Sequence, residues 1–215
     1  TTATTPANFT QLGLIEPILA RLSELEYLQP TPIQAQAIPS ILARRDLIAG
    51  ANTGSGKTAT FALPMLQQIQ QLQSSNTEKN SQTNKGNYVT GLILVPTREL
   101  AKQVADSIKS YAAHFNGKIT DILVATPGRL LDLISSNAIK LDKVDTLVLD
   151  EADRMLSLGF TEELSALLAL LPNKKQTLLF SATFPEQVKE LTQKLLNNPI
   201  EIQVQSADSS TLVQR

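Results

Sequence analysis

The stretch 47–72 constrains the fold more than any other part of the chain. An apolar run, Leu47-Ile48-Ala49, enters a loop of small residues ending Gly54-Ser55-Gly56-Lys57-Thr58, and helical spacing follows from Ala59 to Leu72. Strand, small-residue loop, Gly-Lys-Thr and helix is the layout of a phosphate-binding loop. Glycines at 54 and 56 let backbone N–H groups turn inward and approach a phosphate closely. The helix N-terminus adds its partial positive charge. Lys57 can reach the β- and γ-phosphates, and the Thr58 hydroxyl can ligate magnesium. Ala51 stands where the motif usually opens with glycine. On this stretch alone, a glycine-rich turn capping a helix therefore stays an alternative.

The rest of the chain repeats the strand-then-helix rhythm. Apolar strands are read at Leu92–Val95, Ile122–Ala125, Thr146–Leu149 and Thr177–Phe180, with Ile200–Val204 as an edge strand. Helical patterns lie at Leu12–Leu25 and after Thr31, which reads as an N-cap followed by Pro32 at the first helical position. Continuous apolar strands alternating with helices predict an α/β fold whose parallel sheet is covered on both faces. Ligands of such sheets bind beyond the carboxyl ends of the strands. Polar or small-residue clusters stand just after strands here: Gly50–Thr58, Pro96–Leu100, Thr126–Arg129, Asp150–Asp153 and Ser181–Thr183. Loops and caps alone do not readily explain why these clusters carry acids, arginine and lysine.

Composition excludes several classes. The chain has 215 residues and no cysteine, so it has neither a disulfide framework nor a thiolate metal site. No apolar run approaches a membrane span, and the polar start TTATTPAN does not read as a signal peptide. A cytoplasmic location and a monomer without membrane contact are expected. Net charge is −1, so any nucleic-acid binding must come from a local patch or from backbone amides. Residues 1–8 read as a loose tail and 73–90 as a mobile polar loop inside a domain spanning 9–205. Between Lys118 and Ala125 two strand-like runs abut. Parallel neighbours need a crossover of about a dozen residues or more, so either 118–125 is one strand or a connecting segment is missing between Thr120 and Asp121.

The acid cluster carries the chemistry. Asp150, ending a buried strand, would hold magnesium beside the phosphate loop, and Glu151 could orient and deprotonate an attacking water. The alternative for Asp150 is an N-cap of the helix from Ala152. Ser181 and Thr183 could hydrogen-bond Asp153 and relay the state of the nucleotide, or could simply cap a helix. His114 reads as a helix-face residue without a role.

Asp150-Glu151-Ala152-Asp153 spells DEAD, and with Pro30-Thr31-Pro32-Ile33-Gln34, the ANTGSGKT loop, PTRELA at 96–101, TPGR at 126–129 and SAT at 181–183, the chain resembles a DEAD-box RNA helicase from Phe9 to about Val204. The run from Ile122 to Phe160 is most similar to bacterial RhlE-type members. The resemblance implies a single RecA-like lobe, the N-terminal one, with 206–215 as the start of an interlobe linker and the second lobe absent. It implies ATP and Mg2+ as cofactors, with ADP and AMP also bound. Phe9 and Tyr27 would pack on adenine, Gln34 would read its edge, and Thr53, Gly54, Ser55, Gly56, Lys57 and Thr58 would hold the phosphates. Lys57, Asp150 and Glu151 would be catalytic, with Thr58 and Asp150 on the metal. Pro96, Thr97, Arg98, Thr126, Gly128 and Arg129 would contact the RNA backbone, which carries no sequence information. Asp153, Ser181 and Thr183 would couple the lobes.

Three departures stand out. Glu26 occupies the place of a usual glycine before Tyr27, the family's Gly-Gly segment falls where the crossover is missing, and the second lobe's arginines are absent. The isolated lobe is therefore expected to bind adenine nucleotide and to be nearly inactive. A DNA-handling motor of the same superfamily and a non-enzymatic nucleotide-dependent platform are the other readings.

Overall fold

The structure, a computed structural model, describes residues 8–50, 52, 54–76, 88–115 and 121–204. The expectations for Thr53, for most of the N-terminal tail, for 77–87 of the polar stretch, for 118–120 at the suspected junction, and for residue 205 and the linker fall outside the described residues.

A 3₁₀ turn, Phe9–Leu12, precedes helix α1, Glu16–Glu24. Between them Gly13 takes φ 85°, which ends the turn and separates two elements that apolar spacing alone merges into one helix. Helix α2, Pro32–Leu42, begins as expected, with Thr31 at the N-cap and Pro32 in the first turn. Strand β1, Leu47–Gly50, leads into helix α3, Lys57–Asn76. Helix α3 thus claims 73–76 from the polar stretch, and at its other end Tyr88 already pairs with Lys140 in a parallel bridge. Then follow β2 (Gly91–Leu94), α4 (Arg98–Tyr111), β3 (Ile122–Ala125), α5 (Pro127–Ser135), β4 (Thr146–Leu149), α6 (Ala152–Ser157), α7 (Thr161–Ala169), β5 (Gln176–Ser181), α8 (Glu186–Leu195) and β6 (Ile200–Gln203).

The described strands form one parallel sheet in the order β3-β2-β4-β5-β1-β6. Strands β2, β4 and β5 are buried along their whole length, whereas the edge strands β3 and β6 are only partly covered. Side chains alternate between the faces, as the pleat requires. Leu47, Ala49, Ile93, Val95, Val148, Leu178 and Phe180 face one core, with residues of α1 to α4. Leu92, Leu94, Leu147, Leu149 and Leu179 face the other, with residues of α5 to α8. Phe61 of α3 packs on Phe180 with ring centroids 5.4 Å apart. Two cores back to back explain why these strands read as unbroken apolar runs.

The strand order also places the chemistry. The chain crosses from β1 over the positions of β4 and β5 to reach β2, and later fills the gap. At the carboxyl edge the clusters therefore stand in the order TPGR, PTRE, DEAD, SAT and phosphate loop, after β3, β2, β4, β5 and β1. The acid pair thus lies between the phosphate loop and the two clusters expected to touch RNA.

Candidate nucleotide-binding site

A cleft of about 540 Å³ opens at this edge. The segment before and within α2 contributes Tyr27, Gln29 and Gln34 to its lining, the phosphate loop and the start of α3 Gly54, Gly56, Lys57 and Thr58, and the segment just after β4 Asp150 and Glu151. Ala59 and residues of α4 complete it, among them Leu100, Ser107 and Tyr111. The α4 residues are a contribution that sequence reasoning missed. Their only signal was helical spacing after PTRELA, which also fits an ordinary core face.

Gln34 joins the first segment to the phosphate loop. Its Oε1 accepts from the Thr31 N–H at 2.9 Å, and its Nε2 donates to the Gly56 carbonyl at 3.2 Å. The Thr31 hydroxyl donates to the Ser55 carbonyl at 2.9 Å. The loop must run close to α2 for these bonds to form, and Gly56 permits it. Gly56 has φ 89°, and a Cβ there would sit 2.5 Å from Gln34 Nε2 and 3.0 Å from Thr31 Oγ1. Gly54 has φ 83°, with nothing near a hypothetical Cβ, so its need is conformational. Ser55 Oγ is buried with no hydrogen-bond partner among the described residues, and Lys57 is 7% exposed. An orphaned hydroxyl and a buried ammonium over inward-turning glycines fit a phosphate group.

Tyr27 is 41% exposed and meets the buried Tyr111 edge-to-face, with centroids 6.3 Å apart. Burial pushes the Tyr111 hydroxyl well above the usual tyrosine range, assisted by its contact with Tyr27. Glu26, the residue in the usual glycine place, adopts φ 58°. The left-handed backbone that favours glycine is thus present here with a glutamate. Phe9 is not brought into the cleft. It is 5% exposed, packed in the core with Leu12 and Ile18, and does not line the cavity. It packs there from the 3₁₀ turn Phe9–Leu12.

The acid cluster is wired through backbone as well as side chains. Asp150 is 3% exposed, and its Oδ1 accepts from the Glu151 N–H at 3.0 Å. The N-cap of α6 is Glu151, at φ 54°, not Asp150, whose Oδ1 reaches only the Glu151 N–H ahead of the helix, so Asp150 is not the N-cap residue. Glu151 Oε2 accepts from Arg154 Nη1 at 3.2 Å, a contact not foreseen from sequence. Asp153 Oδ2 accepts from both the Thr183 N–H (2.9 Å) and the Thr183 hydroxyl (2.7 Å). Ser181 Oγ accepts from the Asp153 N–H and donates to the Thr183 carbonyl. Helix α8 starts after Pro185 with no side-chain cap, so Ser181 and Thr183 do not serve as its cap.

The donor set also fits magnesium. This ion takes one or two protein oxygens and fills its octahedron with phosphates and water. Thr58 and Asp150 on one cleft supply such oxygens, and among the described residues there is no larger cluster of His, Cys, Asp or Glu.

Toward the other end of the edge, Thr97 caps α4 by accepting from the Leu100 N–H at 3.2 Å. Pro96 is buried, whereas Arg98 and Arg129 are exposed. Thr126 occupies the N-cap of α5 without a side-chain bond. Gly128 has nothing within 4 Å of a hypothetical Cβ, so no contact within the chain demands a glycine there. These residues lie outside the lining of the nucleotide cleft. His114 stands in the turn after α4, not on a helix face, and its Nε2 lies 2.8 Å from Glu24 Oε1 on the surface.

A parallel sheet sandwiched by helices, with a phosphate loop after one strand and an acid pair after another, defines a RecA-like P-loop domain. The DEAD/DEAH box helicase family model matches residues 31–191, and the chain belongs to that family. It is 39% identical over 220 residues to the ATP-dependent RNA helicase DeaD of Escherichia coli strain K12, covering 93% of this chain and 33% of that protein. It is likewise 39% identical over 216 residues to the DEAD-box ATP-dependent RNA helicase RhpA of Helicobacter pylori strain B128, covering 92% and 41%. The crystal structure of a DEAD box protein from the hyperthermophile Methanococcus jannaschii superposes with a TM-score of 0.79 at 34% identity, covering 94% of this chain and 57% of that one. The chain thus spans about a third to two fifths of these curated relatives.

Proposed function

We propose that the chain is the ATP-binding lobe of an ATP-dependent RNA helicase, in which hydrolysis is coupled to local opening of RNA duplexes. The observation that carries this reading is the convergence of Tyr27, Gln34, the phosphate loop and the Asp150–Glu151 pair on one cleft. The names of the similar proteins, ATP-dependent RNA helicases, support it.

The residues then divide the work. Tyr27 offers an aromatic face to the base. Each end of the Gln34 amide keeps one hydrogen-bonding site beyond its bonds to Thr31 and Gly56, and this pair matches the donor and acceptor on adenine's edge. Gly54, Ser55, Gly56 and Lys57, with Thr53 as an expected member, cradle the phosphates. Thr58 and Asp150 would hold a magnesium ion, which neutralises phosphate charge when bound. Glu151, its Oε2 steadied by Arg154, orients the attacking water through Oε1 and takes its proton. Pro96, Thr97, Arg98, Thr126, Gly128 and Arg129 touch the sugar–phosphate backbone of RNA, so binding is independent of sequence. Asp153, tied to Ser181 and Thr183, couples the acid pair to movement of a second lobe. A monomer working in the cytoplasm completes the proposal.

No arginine lines the cleft among the described residues. A missing arginine finger is worth roughly 10³–10⁵ in rate, so the lobe alone should bind nucleotide and turn over near background. The test measures ATP turnover with RNA and with DNA, for this chain alone and for the chain joined to a RecA-like second lobe. RNA-stimulated turnover only in the joined form, abolished by Glu151→Gln, is the expected result. Equal stimulation by DNA would establish the DNA-handling reading. Turnover absent from both forms would establish the non-enzymatic platform. Robust turnover by the chain alone would refute the two-lobe mechanism.

A further inference from the structure

The geometry points to a second RNA-contact surface on the amino-terminal edge of the sheet, opposite the nucleotide cleft; this rests on the RNA reading above. A cleft of about 670 Å³ opens there between the starts of β1, β4, β5 and β6. Arg44, Arg45, Lys174 and Lys175 line it. Farther along the same edge, Lys143 and Lys140 hold their ammonium groups 4.0 and 5.6 Å from the centroid of the Tyr88 ring.

Acids on this edge offset only part of that charge. Asp145 pairs with Arg44 at 2.6 Å. Asp46 is engaged by backbone, its two oxygens accepting from the Thr177 and Asn197 N–H groups. Asp142 and Asp121 also stand shortly before β4 and β3. Among the described residues Arg45, Lys140, Lys143, Lys174 and Lys175 have no ion-pair partner. The chain as a whole is at −1, so a cationic edge is a local feature and not a consequence of composition.

The cleft is also built as a polar site. Gln176 is 3% exposed, and its Nε2 donates to the carbonyls of Ile41 and Arg45. Its Oε1 is buried without a partner among the described residues. Asn197 and Asn198 add amides at the rim. Cations that bind phosphate, together with amides that bind hydroxyls and base edges, suit RNA, which carries a phosphate at every nucleotide. Tyr88 and the Arg44–Arg45 pair precede β2 and β1, which are three strand spacings apart, or about 15 Å. That span accommodates several phosphates of one strand. The surface would hold a single-stranded flank of the RNA engaged at the opposite edge.

The test measures binding of a labelled oligouridylate to the 215-residue chain by fluorescence anisotropy across a salt series. Arg45→Gln/Lys174→Gln/Lys175→Gln should weaken binding about tenfold and flatten the log–log salt slope by about two, at roughly 0.7 per lost phosphate contact. Lys140→Gln/Lys143→Gln, which leaves the cleft untouched, should act in the same direction. ADP affinity and melting temperature should stay unchanged in both, which separates lost contacts from lost fold. Unaltered affinity and slope in both variants would overturn the inference, as would absence of RNA binding by the parent chain. Equal binding of polyglutamate of matched charge would overturn it too, in favour of an acidic protein. If only Arg98→Gln/Arg129→Gln reduces binding, this surface is refuted while the RNA reading stands.

Discussion

Asp150 is a buried carboxylate whose ionisation bears on stability and on the metal site proposed above. Burial pushes its carboxyl up to about 6; Lys57 pulls the other way, and Glu151 adds to the rise. The folded chain therefore holds this proton more tightly than the unfolded chain does. Between about pH 4 and pH 6 the folded state binds more protons, so stability from this group falls as pH rises through that window. At pH 7 the ionised carboxylate costs on the order of 2–3 kcal/mol. Asp150→Asn should raise the melting temperature of the ligand-free chain at pH 7 by on the order of 5 °C. The gain should vanish near pH 4, and magnesium-dependent nucleotide binding should be lost at every pH. Thermal melts across that range check it; a lower melting temperature at pH 7 contradicts it. Asp153 has the opposite sign. Burial alone would raise it, but the Thr183 hydroxyl and N–H bring it below the usual carboxylate range, so its contribution is present at neutral pH and fades on acidification. Gly56→Ala places a side chain at φ 89° against the Gln34 amide. It should cost about 1–2 kcal/mol in a denaturant melt and abolish ADP binding, whereas unimpaired ADP binding would show that the Gln34–loop contact is dispensable.

At the scale of elements, the apolar strands were legible because both faces of the sheet are buried, so burial leaves no polar alternation to confuse the reading. Strands β3 and β4 carry the expected bounds, and β1, β2, β5 and β6 differ by a residue at one or both ends. Thr31 and Pro32 announced α2 through cap chemistry. What local pattern could not show was tertiary. Residues 73–76 are polar yet helical because α3 was already nucleated and packed upstream. The 3₁₀ turn Phe9–Leu12, which seats Phe9 in the core, carries no helical periodicity of its own. The left-handed backbone at Glu26 and Glu151 has no signature in a glutamate. Helix α4 links two regions of the carboxyl edge. Its cap, Thr97, stands in the cluster assigned to RNA, and its later residues Leu100, Ser107 and Tyr111 line the nucleotide cleft. Thr97→Ala removes the bond to the Leu100 N–H and should cost about 1 kcal/mol in a urea melt, with Thr97→Ser restoring most of it. An unchanged midpoint would mean that the cap does not hold α4.

For the whole molecule, one edge of the sheet gathers parts that lie far apart in the chain: Gln34, Lys57, Asp150 and Ser181 come from segments after which the chain crosses the sheet each time. The order of the motifs and their gathering on the carboxyl edge were legible in the sequence; which cluster neighbours which depended on β4 and β5 inserting between β1 and β2. The central claim is that this convergence makes an adenine-nucleotide site. Isothermal titration of the 215-residue chain with ADP and with GDP in magnesium tests it most directly, with Gln34→Ala and Lys57→Ala as companions. The expected result is one-to-one ADP binding at least about tenfold tighter than GDP, since one lost base-edge pairing is worth roughly 1–3 kcal/mol. Gln34→Ala should erase that preference, and Lys57→Ala should weaken both nucleotides alike. No ADP binding by the parent chain, or equal affinity for ADP and GDP, would contradict the claim.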